Sequence, residues 1–308
     1  MDATVESEGI EMGEFTLKLE KVEIEPEDKE RALTELRESP ETVEAGLKEL
    51  RQLLADEGLN YPSDKDVDLQ VFLRPCKYYA ESAFERMRKF YKFKLEHPEY
   101  CQDLTPTHVK EAFYSNMFTI LPCRNKNGER VLIVEAGEKW DTGTCTVNEI
   151  FRSGLLIFEA AISEPKTQIS GVRVIVDARG LTYTHFWQFS TSFIMDVSHW
   201  MKECAPIRLK GIHIVNQPYL FNIIFSLFQS FLDEKIKTRI HMHGTDFEEL
   251  HKHICSRILP TEYGGTQKIP LDKGKELHEY LLSFDNEFRG NTFGRFPVSL
   301  HAAAVQSI

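Results

Sequence analysis

Few side chains in this sequence stand at spacings suited to covalent chemistry. His241 and His243 are two residues apart and would share one face of a strand, and His251 and His253 follow shortly after. A zinc site needs three or four converging ligands, so hydrogen-bonded histidines are the simpler reading and no metal is expected. Asp177 closes a β-branched run, a common place for a functional carboxylate in an α/β sheet. No catalytic partner is identifiable for it, so it reads as an acceptor for backbone N–H groups. Cys204 and Cys255 show no evident pattern of basic neighbours, and thiol catalysis is unsupported. Neither a G-x-G-x-x-G, a P-loop nor a G-x-S-x-G motif occurs, which removes the usual phosphate cradles and the serine-hydrolase elbow. A non-enzymatic protein with no cofactor is expected.

What remains is the physical chemistry of apolar burial and of anion attraction. Residues 218–232 hold ten apolar and four polar side chains and no charge. At about 100° per residue, Phe221, Phe225, Phe228 and Leu232 form one stripe. Leu220, Ile223, Ile224, Leu227 and Phe231 widen the apolar arc to roughly 200°. That is more than one sheet contact needs, so a second apolar partner is expected outside the core. The 15 residues are too few to cross a bilayer, which takes about 20. Arg208 and Lys210 precede one expected strand, and Lys235, Lys237 and Arg239 precede or begin the next. Parallel connections place both strand starts at one edge of the sheet, so the five cations would share a rim. Alone they would read as a solvated charge run; beside an uncharged apolar helix they suit an anionic membrane, at about 1 kcal/mol per near-surface cation.

The elements that must position these groups are legible in outline. Short β-branched runs at 131–134, 172–176, 211–215 and 238–242 alternate with helix-length segments at 147–163, 186–201, 218–232 and 246–258. This is the pattern of an α/β domain with a largely parallel sheet and flanking helices. Before it, a charged helix around 29–37, a helix at 40–54, a helical segment at 67–74 and a helix at 81–96 suggest a small bundle. Gly58 is expected to end the second helix, and Asn60, Tyr61, Pro62 and Ser63 to form a loop. The expected division is an acidic disordered tail at 1–25, a helical bundle at 26–100, an α/β domain at 107–275 and a C-terminal extension at 276–308. The net charge of −11 is uneven: residues 1–75 carry 21 acidic against nine basic side chains, while the rest is nearly balanced. That bias argues against nucleic acid as partner, since phosphate affinity rests on clustered cations. The six cysteines lie 22 or more residues apart, without a C-x-x-C pair or an export signal, and read as free thiols in a reducing cytosol.

A series of motifs in order carries a resemblance. Phe72-Leu73-Arg74 with Lys77, Tyr78, Tyr79 and Ala83 comes first, then Val176-Asp177-Ala178-Arg179-Gly180. The run Lys210-Gly211-Ile212-His213-Ile214-Val215-Asn216-Gln217-Pro218 follows. Phe231-Leu232-Asp233-Glu234-Lys235-Ile236-Lys237 leads into Arg239-Ile240-His241-Met242-His243-Gly244, and Leu259-Pro260-Thr261-Glu262-Tyr263-Gly264-Gly265 ends the series. Across residues 26–265 the chain resembles the CRAL-TRIO lipid-transfer family, within it the branch of alpha-tocopherol transfer protein, clavesins and cellular retinaldehyde-binding protein.

The resemblance implies a lipid cavity between the sheet and a mobile gate helix at about residues 216–232. Its implied ligand-binding positions are Phe151, Leu155, Phe158, Val172, Val176, Val197, Trp200, Met201, Ile207, Ile212, Phe221 and Phe225. Taken one at a time, each is better explained as plain core packing; the implication rests on the set. The implied phosphoinositide positions are Arg208, Lys210, Lys235 and Arg239, with Lys237 as an adjacent cation. The partners so implied are one hydrophobic lipid of the tocopherol, retinoid or carotenoid class, a phosphoinositide headgroup and a membrane surface, with a cytoplasmic and transiently membrane-bound protein. Gly154 and Phe158 stand where the tocopherol protein has serines, which sets this cavity apart in shape and polarity. A phospholipid exchanger of the same fold and a membrane-trafficking adaptor remain as alternatives.

Overall fold

Ile10, Met12, Phe15 and Leu17 alternate about a two-residue turn, and in the computed structural model they pair as an antiparallel hairpin, β1 (Ile10–Met12) and β2 (Phe15–Leu17). Residues 9–21, 24–57, 61 and 65–290 are described. The hairpin corrects the expectation of a disordered tail over this stretch. Acidic neighbours mask the period-two pattern that buries Ile10, Met12 and Leu17, and Gly13 takes the turn at φ 74°. The expected helix stop at Gly58 and the loop at Asn60, Pro62 and Ser63 lie outside the described residues, as do the first eight residues and 291–308.

Four helices follow: α1 (Pro26–Leu36), α2 (Pro40–Glu57), α3 (Asp66–Leu73) and α4 (Ala80–Glu96). Leu47, Leu50 and Leu54 recur at three and four along α2 and are buried with Phe72 of α3 and Met87, Phe90 and Tyr91 of α4. The short helices α5 (Pro98–Cys101) and α6 (Glu111–Tyr114) lead into the sheet.

That sheet has five strands in the order β3 (Phe118–Ile120), β4 (Arg130–Glu135), β5 (Val172–Asp177), β6 (Leu209–Val215) and β7 (Ile240–Gly244). β3 runs antiparallel to β4, and the other pairs are parallel. The fold is therefore α/β, with a central, mostly parallel sheet. Crossovers are made by α7 (Val147–Ile162) with α8 (Pro165–Ser170), by α9 (Tyr183–Phe186) with α10 (Thr191–His199), and by α11 (Tyr219–Gln229) with α12 (Glu234–Lys237).

Two helices expected as single units are broken, each for a visible reason. Ser190 accepts from the Phe193 amide at 3.1 Å and caps α10, separating it from α9; beyond His199 the chain continues through a wider turn closed by Ala205 N–H on the Trp200 carbonyl at 2.9 Å. The segment expected at 246–258 is α-helical only in α13 (Phe247–His251), and ends in a single 3₁₀ turn at Ser256–Ile258. There the Asn125 side chain donates to the His253 carbonyl at 3.0 Å and accepts from the Cys255 amide at 3.1 Å, taking groups that further helix would use. At the C-terminal side, α14 (Gly274–Leu282) buries Leu277 and Leu281, and His278 Nε2 donates to the Pro106 carbonyl at 2.7 Å. The helical bundle is tied to the sheet domain by Lys94 of α4 and Glu159 of α7, a nearly solvent-free pair at 2.7 Å.

Candidate functional site

Side-chain alternation on β5 sends Val172, Val174 and Val176 to one face of the sheet, and these residues floor a cavity of about 1460 Å³. Such a volume exceeds the roughly 300–1,000 Å³ of ordinary small-molecule pockets. Leu132 and Val134 of β4 and Ile212 of β6 extend the floor. One wall comes from α7, whose Thr146–Glu149 capping box fixes its start, with Ile150, Phe151, Gly154, Leu155, Ile157 and Phe158 on the cavity side. Phe193, Val197, Trp200 and Met201 supply a second wall. Phe228 of α11 closes over the chamber and meets Phe189 edge-on at 5.9 Å between ring centroids.

Ten of the twelve residues expected on the cavity line it: Phe151, Leu155, Phe158, Val172, Val176, Val197, Trp200, Met201, Ile207 and Ile212. Phe221 and Phe225 stand outside the lining and stack on each other at 6.2 Å. Phe221 shares the angular phase of Phe228 but lies two turns earlier, and Phe225 is rotated from Phe228 by about 60°. The chamber underlies only the later turns, so Phe228 takes the role expected of Phe225. Sequence reasoning also missed the part of the lining that Leu17, Lys18 and Leu19 form together with Leu277, Tyr280 and Leu281 of α14. Leu19 N–H donates to the Tyr280 hydroxyl there at 2.9 Å. Beside it, Glu164 is buried between Arg124 at 2.9 Å and Arg130 at 2.6 Å. Burial alone would raise the Glu164 carboxyl, but hydrogen bonds and charge from Arg130 and charge from Arg124 outweigh it and hold the group below its usual range.

The lining also includes Arg208, Lys210, Lys235 and Arg239, four of the five expected rim cations, which form a basic mouth on the strand-start edge that also holds Arg130. Lys237 is not in the lining; it pairs with Glu234 at 2.9 Å. Glu35 of α1 reaches into this mouth, 2.5 Å from Arg208 and 3.1 Å from Lys210. Burial would raise the Glu35 carboxyl, but the hydrogen bonds and charges of Arg208 and Lys210 prevail and lower it. Lys210 is itself lowered by burial and by the charge of Arg208, and Arg239 likewise. Crowded, partly desolvated cations of this kind gain from any added anion.

Helix α11 turns a second apolar face outward. Tyr219, Ile223, Leu227 and Phe231 are exposed, Tyr219 by 81%. Tyr183 and Trp187, on and just after α9, add exposed rings, Trp187 by 77%. Such a patch is unusual at a protein surface in water, and Tyr and Trp are the residues favoured at a membrane interface. No helix among the described residues is long and apolar enough to cross a membrane. The turn leading into α11 is clasped to the end of β7: Asn216, at φ 52°, donates its backbone N–H to the Gly244 carbonyl at 2.7 Å, and Gly244 N–H donates to the Gln217 side chain at 3.0 Å. Asp177 holds this turn, accepting from Asn216 Nδ2 at 3.0 Å and from Arg179 N–H at 2.9 Å.

Residues 114–265 match the CRAL/TRIO domain. Alpha-tocopherol transfer protein-like of Mus musculus is 31% identical over 240 residues, covering 77% of this chain and 69% of the relative. The chain belongs to the CRAL/TRIO family of lipid-binding and lipid-transfer proteins. Clavesin-2 of Rattus norvegicus, 27% identical over 276 residues, covers 88% of the chain and 84% of the relative. Both alignments are longer than the family's domain, so the likeness extends into the flanking segments as well.

Proposed function

We propose that this CRAL/TRIO protein carries one hydrophobic, isoprenoid-like molecule of the tocopherol, retinoid or carotenoid class through the cytoplasm and releases it at phosphoinositide-bearing membranes. The observation that carries the reading is the continuity of a large apolar chamber with a basic mouth, beneath a helix that is apolar on both faces. Burial keeps the cargo from water at about 25 cal/mol per Å² of apolar area, so tight binding needs few polar contacts. Docking of Tyr219, Ile223, Leu227 and Trp187 into a bilayer favours an open gate because the exposed apolar face then leaves water. A phosphoinositide at Arg208, Lys210, Lys235 and Arg239 adds to this only as far as it binds the open form better.

The size of the chamber and its opening onto cations favour one second reading, an exchanger that holds a whole anionic phospholipid with its headgroup in the mouth. Protein isolated from its native cells, extracted with organic solvent and analysed by mass spectrometry, decides between them. A stoichiometric isoprenoid supports the proposal and a stoichiometric phospholipid replaces it. An empty chamber, with no transfer of a fluorescent tocopherol or retinoid between vesicles, supports an adaptor and removes both carrier readings.

A further inference from the structure

The face of the sheet opposite the cavity carries an unusual group. His213 of β6 is fully buried; His241, directly across from it on β7, stacks at 5.1 Å, His243 at 5.3 Å and His253, beyond α13, at 4.9 Å. His241 and His253 lie 4.3 Å apart. The stack has room because Gly211 lacks a side chain: a Cβ there would stand 2.7 Å from His213 Nε2. The rings of His213, His241 and His243 lie nearly parallel, and that of His253 is tilted against them. Among the described residues, only His97, Glu99 and Asp196 bring three ligand atoms within 4.8 Å of one another.

Hydrogen bonding assigns the tautomers. The Arg173 guanidinium can only donate, so at 3.2 Å it makes His213 Nε2 an acceptor. His213 Nδ1 then carries the proton and donates to His243 Nε2 at 3.0 Å. A proton arriving on His243 Nε2 would set two N–H groups against each other and break that bond. His243 lies at the irregularity in the β6–β7 register, one residue before Gly244, whose N–H and carbonyl hold Gln217 and Asn216 at the root of the gate helix.

We propose that the His213–His243 pair is a proton-operated latch, and that protonating His243 frees the gate clasp at Asn216, Gln217 and Gly244 so that cargo leaves. The inference rests on the carrier reading and adds its regulation. The charged surroundings are consistent with it. Burial lowers all four imidazoles, and Arg173, itself paired with Glu129, adds its charge against His213, His241 and His253. Lys252 of the α13 end opposes protonation of His253, while Asp246 and Glu249 from that segment favour protonating His243, and Glu249 favours it at His253, without reversing the direction. With the folded state binding fewer protons than the opened one, closure is secure above the ordinary imidazole range near pH 6.5 and weakens as pH falls below it. An anionic leaflet at about −30 mV concentrates protons about threefold, so the latch and the basic mouth respond to the same surface.

A histidine kept neutral in the closed state, but titrating near 6.5 when open, favours opening about tenfold between about pH 7.5 and about pH 5.5. The test measures transfer of nitrobenzoxadiazole-labelled tocopherol to phosphatidylcholine vesicles, which lack anionic headgroups, and amide exchange across residues 215–245 corrected for intrinsic rate. The wild type should accelerate about tenfold in both over that interval. His243→Gln keeps an acceptor for His213 but cannot take a proton; it should match the wild type at the upper pH and stay flat. An equal acid response in His243→Gln, or wild-type exchange in this segment that ignores pH, overturns the latch. Should His243→Gln fold poorly, the pH response of wild-type exchange alone decides. Absence of tocopherol transfer at either pH counts against the cargo, while exchange still decides the latch.

Discussion

Replacing Gly154 by Leu separates a true chamber from an ordinary core by the sign of one free energy. Gly154 is on the cavity side of α7, and a Cβ placed there meets no described heavy atom within 4 Å. Removing a glycine from a helix interior contributes about 0.8–1 kcal/mol. Burying four carbons contributes up to about 3 kcal/mol at roughly 0.8 kcal/mol per CH₂, less about 0.5–1 kcal/mol of side-chain entropy. Delipidated Gly154→Leu protein should therefore be more stable than the wild type, by up to about 3 kcal/mol, read from urea unfolding with an unchanged slope. Were this position packed, the same side chain would overfill it and cost about 1–3 kcal/mol. The ligand-loaded state should move the other way, because the new leucine takes space from the cargo: affinity for a fluorescent tocopherol should fall about tenfold or more. A destabilised delipidated variant would refute the chamber, and a stabilised variant with undiminished loading would place the cargo elsewhere.

Three further outcomes follow from the site. Glu35→Gln removes the carboxylate that competes for Arg208 and Lys210, so binding to phosphoinositide vesicles in sedimentation should tighten about two- to fivefold, as befits a partly exposed pair; weaker binding would mean that Glu35 positions the cations instead. Ile223→Glu combined with Leu227→Glu should cut vesicle binding at least about tenfold and leave the melting temperature nearly unchanged, since both side chains are exposed. Glu164→Gln should cost about 3–5 kcal/mol, because it leaves Arg124 and Arg130 short of a buried counter-charge. The folded Glu164 carboxyl lies below its unfolded value, so its contribution is complete above the ordinary carboxylate range and lost as pH falls through the folded value; Glu164→Gln should flatten that acid limb of the stability profile.

How much of this was legible in the sequence depended on whether a residue's partner was local. The strands 172–176 and 211–215 were found nearly to the residue, because β-branched runs bounded by breakers state their own conformation. Helices α2, α4 and α7 were found for the same reason, through apolar spacing at three and four. Where a distant side chain decides, as Asn125 does in ending α13, local periodicity predicts a longer helix than forms. The hairpin β1–β2 failed differently: composition spoke for disorder, while four alternating apolar residues, the weaker signal, were correct because α14 and the chamber give them something to pack on.

The cavity shows the limit of phase arguments most clearly. An apolar stripe on α11 tells which direction a side chain points, and Phe221 and Phe228 point almost alike. It does not tell where along the helix axis the hollow begins, because a void is defined by what the other elements leave unfilled. Gly154 of α7, Phe193 of α10 and Phe189 in the connection before it set that boundary, so Phe228 covers the chamber while Phe221 and Phe225 stack beside it. The same reasoning explains the latch: His241 and His243 were visible as a same-face pair, but His213, buried on the neighbouring strand, has meaning only once β6 and β7 are known to be adjacent. Function in this fold is thus written partly in residues whose types are informative and partly in the gaps between them, and only the first kind can be read along the chain.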